Sequence, residues 1–180
     1  MFGVKRLIEK ISKESKIEKN PVKYARELGV NISDDCRIID WPNWGSEPYL
    51  ISIGEHVTIS YGCCFINHDG GTWVFREKDK YKDVIKFGKI EIGDNCFIGA
   101  NCTILPNVKI GNDCVVGACS LVNKSIPSGE VWAGVPAKFI CKTTDYAEKC
   151  LENNPKYDRN NYKINKKEEL LKIIYENDKK

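Results

Sequence analysis

The chain contains two histidines, and only one of them stands where a regular sequence stops being regular. Residues up to Phe65, and again from Ile92, follow a six-residue beat, which "NHDGGTWVFREKDKYKDVIKFG" (67–88) ignores. His68 stands at the start of that break. A neutral imidazole near pH 7 can take a proton from an attacking nucleophile, so His68 is a candidate general base. Asp69 either orients that imidazole or opens the Asp-Gly-Gly turn, and the turn is the preferred reading. His56, in an ordinary corner of the beat, reads as a surface residue.

The beat supplies the frame. Its lead positions are Ile53, Ile59, Phe65, Ile92, Ile98, Ile104, Ile110, Val116 and Val122. All are aliphatic or aromatic, which at this composition would arise by chance only about 4 times in 10,000 for a given register. Glycine follows the lead at Gly54, Gly93, Gly99, Gly111 and Gly117, and the fifth position is small or β-branched, through Ile126. Each hexad is a short strand plus a corner, and three hexads close one triangular coil. Lead side chains point inward and stack on their equivalents 18 residues later, with glycine expected to relieve strain at the bend.

Composition excludes several classes. The 180 residues are 42% apolar, enough for one domain with a core, and no 18-residue apolar run exists to span a membrane. The N-terminal twenty residues lack the apolar stretch of a signal peptide, so the expected compartment is cytoplasmic. Nine cysteines form no CxxC pair. Cys36, Cys63, Cys96, Cys102 and Cys114 fall at the fifth hexad position, where a buried thiol acts as a small hydrophobe, so no metal is expected. The net charge of +3 gathers at the two ends, where lysines alternate with glutamates as on a solvated helix. No nucleic-acid surface is indicated.

Three segments result. Residues 1–30 are helical, with a stripe of Val4, Leu7, Ile8 and Ile11 and a second helix capped by Asn20, opened by Pro21 and closed at Gly29. Residues 31–142 form the coil, interrupted at 40–49 and 69–88, and 143–180 form a helical extension with helices over 144–152 and 166–177. The interruptions hold Trp41, Trp44 and Trp73. That is more aromatic surface than a disordered loop carries, and the ring faces suit a sugar or serve as packing.

The hexads, the "NHDGG" break and the closing "SIPSGEVWAGVPAKFI" together resemble the hexapeptide-repeat acyltransferase superfamily. Within it, "NPVKYARELGV", "GSEPYLISIG" and "HDGGTWVFR" are most similar to O-acetyltransferases of capsule, lipopolysaccharide and other surface glycans. The resemblance covers roughly residues 20–142. It implies a mainly β fold, a left-handed parallel β-helix flanked by N- and C-terminal helices. It also implies a homotrimer with acetyl-CoA lying between neighbouring coils. Ala100 and Ala118 would meet the pantetheine arm, and Asn123 and Lys124 would line the same groove. Lys138, with Cys141 and Lys142 close behind, would hold the CoA phosphates. On the acceptor side, Asn67, Asp69, Trp73, Trp44 and Glu47 are the expected substrate contacts.

The expected reaction is acetyl transfer to a sugar hydroxyl, with His68 as base. N-acylation of an amino sugar, free or nucleotide-linked, is the alternative. A γ-carbonic anhydrase-like site needs three histidines, which this chain lacks, and the His68 loop argues against a non-catalytic scaffold.

Overall fold

The structure, a computed structural model, describes residues 14–177; the stripe Val4 to Ile11 lies outside them. Two compact units are present, Met1–Thr143 and Thr144–Lys180.

In the first unit, α1 (Pro21–Glu27) begins as its sequence dictates. Asn20 caps it by accepting from the Lys23 N–H, and Gly29 takes a positive φ of 107° just beyond it. Thirteen short strands follow: β1 (Asn31–Ile32), β2 (Arg37–Ile38), β3 (Ile51–Ile53), β4 (Thr58–Ile59), β5 (Cys64–Phe65), β6 (Ile90–Ile92), β7 (Phe97–Ile98), β8 (Thr103–Ile104), β9 (Lys109–Ile110), β10 (Val115–Val116), β11 (Leu121–Val122), β12 (Glu130–Ala133) and β13 (Lys138–Lys142). They build three sheets that the chain visits in rotation. The first is β1-β3-β6-β9, the second β13-β12-β10-β7-β4-β2, and the third β11-β8-β5. Every pairing is parallel except β12 with β13.

The lead residues fill the interior. Ile59, Phe65, Ile98, Ile104, Ile110 and Val116 are fully buried, and the pairs Ile59↔Ile98, Phe65↔Ile104 and Ile98↔Val116 stack along the axis. The thiols do more than fill space. Cys36, Cys63, Cys96, Cys102 and Cys114 donate S–H to the carbonyls of Gly54, Gly99, Gly111, Gly117 and Pro127 on the next turn. Burial pushes the Cys63 thiol up to about 11, so it stays a protonated donor.

Three expectations are corrected. Strain at the bend falls on the fourth hexad residue, not on the glycine that follows the lead: His56, Asn95, Asn101, Asn107, Asp113 and Cys119 all adopt φ between 54 and 64°, and Gly62 and Gly129 relieve it at the same position with φ 69° and 73°. The glycine is needed for close approach, since a Cβ on Gly99 would lie 2.6 Å from the Ala118 nitrogen. Ile126 is no corner residue; it pairs with Ile110 as an inward lead of a shortened last turn. Finally, the stretch 40–49 is partly coil. Asn43 pairs in parallel with Cys64, and Trp44 takes the lead position stacked on Phe65, with centroids 4.9 Å apart.

In the C-terminal segment, α2 (Thr143–Glu152) and α4 (Lys166–Asn177) lie within a residue of the helices read from the sequence. A helix not read from the sequence, α3 (Arg159–Ile164), is capped by Asp158, which accepts from the Asn160 and Asn161 N–H groups. Buried Glu169 ties α4 to this cap, accepting from the Asp158 backbone and the Asn161 amide.

Candidate active site

His68 stands three residues past the third-sheet strand β5, where the next turn places the corner residue Asn107. Instead of turning, the chain leaves the coil and returns antiparallel to itself, with His68 bridged to Phe87. Backbone bonds from Asp69 to Lys86 (2.8 Å) and from Gly88 to Asn67 (2.9 Å) sew the base of this excursion. Asp69 serves the turn. Its carboxylate accepts from Gly71 N–H at 2.9 Å, caps the 3₁₀ turn Gly70–Phe75 and pairs with Lys86 at 2.7 Å. The Lys86 and Gly71 donors hold the Asp69 carboxyl below the usual carboxylate range.

The imidazole of His68 is met from the other interruption. Its Nδ1 lies 2.9 Å from Ser46 Oγ and 3.2 Å from Glu47 Oε2, and the Ser46 hydroxyl also contacts Glu47 Oε2 at 2.9 Å. The Phe87 ring flanks it at 5.9 Å. The Glu47 side chain keeps 17% of its surface exposed against 44% for His68, so the carboxylate backs the ring and leaves it open on its far side.

Among the expected acceptor contacts, two are corrected. Asn67 is fully buried; its amide donates to the Trp44 carbonyl at 3.2 Å and the Glu47 carbonyl at 2.7 Å, which makes it a staple between the two interruptions. Trp44 is 4% exposed, one ring face being spent on Phe65, so it has no face to offer a sugar. Glu47 sits on His68. Trp73, by contrast, is 76% exposed on the excursion.

The cofactor candidates fall at the edges of the third sheet, except Lys138 and Lys142, which stand on β13 of the second. Ala100 and Ala118 are third hexad residues on successive turns, joined by a Cys119 N–H to Ala100 carbonyl bond, at the corner between second and third sheets. Asn123 and Lys124, both exposed, follow β11 on the same edge as His68. They lie two strand spacings along the axis, about 10 Å. Lys138 pairs with Ala133 beside Ala137, whose N–H bonds the Leu121 carbonyl of the third sheet. Lys142 is set apart. It lies at the far end of β13, opposite Glu130, and its ammonium is paired to that carboxylate at 2.7 Å.

The family described as bacterial transferase hexapeptide (six repeats) matches residues 89–124. The chain is 45% identical over 154 residues to Protein CapG of Staphylococcus aureus, covering 84% of this chain and 88% of that one. This chain belongs to the hexapeptide-repeat acyltransferases. It is also 36% identical over 99 residues to the galactoside O-acetyltransferase of Escherichia coli (strain K12), over 55% of this chain and 47% of that enzyme. In fold it is similar to the hexapeptide-repeat containing acetyltransferase VCA0836 from Vibrio cholerae, with a TM-score of 0.52 at 23% identity over 66% of this chain and 77% of that one.

For this acyltransferase, sequence reasoning missed the contacts of Ser46 and Glu47 with His68 and took the buried Asn67 and Trp44 for acceptor contacts. The segment "GSEPY" held the signal: a hydroxyl beside a carboxylate in the only other break of the coil. Nothing in one dimension says that residues 46 and 68 meet. Their contact exists because Trp44 and Phe65 occupy equivalent positions on successive turns.

Proposed function

We propose that the enzyme transfers an acetyl group from acetyl-CoA to a hydroxyl of a sugar or surface glycan, with His68 as general base. The observation that carries this reading is the placement of His68. It is held from behind, open in front, and on the same edge as Asn123 and Lys124. As the acceptor oxygen attacks the thioester carbonyl, its proton passes to the imidazole. The tetrahedral oxyanion is met by a backbone N–H. Collapse breaks the C–S bond, and the sulfur leaves as the CoA thiol with the proton from the imidazolium. Ala100, Ala118, Asn123 and Lys124 hold the pantetheine along the third sheet, and Lys138 meets the phosphates as a compact cation. The exposed Trp73 ring offers its face to the acceptor.

This reading includes a left-handed winding of the three-sheet coil and a homotrimer whose neighbouring coil closes the open side of His68. The hexapeptide repeats and the outward row Cys64, Thr103 and Leu121, each half-buried on the third sheet, support it. The test is acetyl-CoA turnover followed by thiol release, against a panel of sugars and amino sugars. Light scattering on the same sample should give about three times the 20.5 kDa chain mass. Turnover with amino acceptors alone, or by a strict monomer, would overturn the reading.

A further inference from the structure

The contacts behind His68 decide which of its nitrogens can act. The Glu47 carboxylate can only accept hydrogen bonds, and the Ser46 hydroxyl has one proton to give. With Ser46 Oγ at 2.9 Å from Glu47 Oε2, that proton goes to the carboxylate. Both oxygens near Nδ1 then present lone pairs, Ser46 Oγ at 2.9 Å and Glu47 Oε2 at 3.2 Å. Only an Nδ1–H avoids lone pair facing lone pair. A neutral imidazole with its proton on Nδ1 carries its basic lone pair on Nε2, the nitrogen turned away from both residues.

The arrangement is built into the coil. Trp44 is fixed on Phe65, and Gly45 takes φ 72° where a Cβ would lie 2.7 Å from Asn67 Oδ1 and 2.8 Å from the Phe65 carbonyl. The Asn67 amide then clamps the carbonyls of Trp44 and Glu47. A residue adjacent to His68 in sequence thus sets the position of the carboxylate that faces its ring.

We infer that Glu47 and Ser46 are positioning residues for His68, holding it as the Nδ1–H tautomer so that Nε2 is the base. The inference rests on the reading of His68 as base.

The chain's two histidines make the test direct. Nitrogen-15 NMR of histidine-labelled protein should show His68 protonated on Nδ1, with His56→Asn identifying the remaining signal. Glu47→Ala should shift His68 toward the Nε2–H form and lower kcat by about 10²-fold, with the acetyl-CoA KM within twofold. Ser46→Ala should cost less, because the carboxylate stays. An Nε2–H form in the unmodified enzyme, or a tautomer unmoved in Glu47→Ala while the His56 signal shows a folded coil, would overturn the inference. His68→Ala turning over normally beside an Nδ1–H signal would instead defeat the base reading and leave the positioning contact standing.

Discussion

The two histidines are one residue type put to opposite uses. His56 takes φ 54° at the fourth position of its hexad, and its Nδ1 meets Asn95 Oδ1 at 2.8 Å; the Asn95 amide donates in turn to Asp113 at 2.6 Å. Those partners are the equivalent corner residues of the following turns, so His56 belongs to a ladder that stabilises the bend. His68 follows β5 at the matching place on another edge, but the chain leaves the coil there and its partners come from outside the repeat. The repeat uses an imidazole for shape, and on the proposed reading the break uses one for chemistry. What differs is the source of the neighbours.

The sharpest way to break that contrast is His68→Ala. Kcat should fall on the order of 10²–10⁴-fold, about 3–5.5 kcal/mol of transition-state stabilisation, with the acetyl-CoA KM little changed. A loss of only a few-fold in a folded protein would make the break a binding element. Next comes the repeat itself. Ile104→Ala, at a fully buried position between Phe65 and Val122, should cost about 2–5 kcal/mol in denaturant unfolding. Trp73→Ala on the excursion should leave stability near wild type.

Gly45→Ala probes the link between the two interruptions. Its positive φ and its contacts with Asn67 and Phe65 predict a cost of about 1–3 kcal/mol and a fall in kcat, read from parallel melts and kinetics. Lys138→Ala should raise the acetyl-CoA KM by about tenfold or less with kcat nearly intact, and Lys142→Ala, whose ammonium already answers Glu130, should raise it less. The smallest effect belongs to His56. Replacement by Asn, which tolerates the left-handed region, should stay within about 0.5 kcal/mol and keep full activity. His56→Ala should lose about 1 kcal/mol of stability and no activity, which checks that the ladder is structural.

The hexads were legible because their period is short and their cause is local. An inward lead every six residues names its own burial, and Asn20-Pro21 names a helix start. Trp44 shows the limit. Read along the chain it belongs to a loop, because the three residues added before Ile53 hide its place as a lead. The α3 cap at Asp158 escaped for a similar reason, since "YDRNNYKI" is too short to show a helical stripe.

The sequence by itself determined the coil, its register from Ile53 to Val122, the buried thiols and the identity of the histidine at the break. Those follow from side-chain size and spacing, which one dimension records. Only the tertiary structure decided that Glu47 and Ser46 face His68, that Asn67 is a staple, that Asp69 is spent on Lys86 and that Lys142 lies apart from Lys138. A parallel coil brings together residues separated by a full turn plus whatever was inserted into it. Insertion length is fixed by neither periodicity nor composition, so those partners became visible only once the turns were stacked.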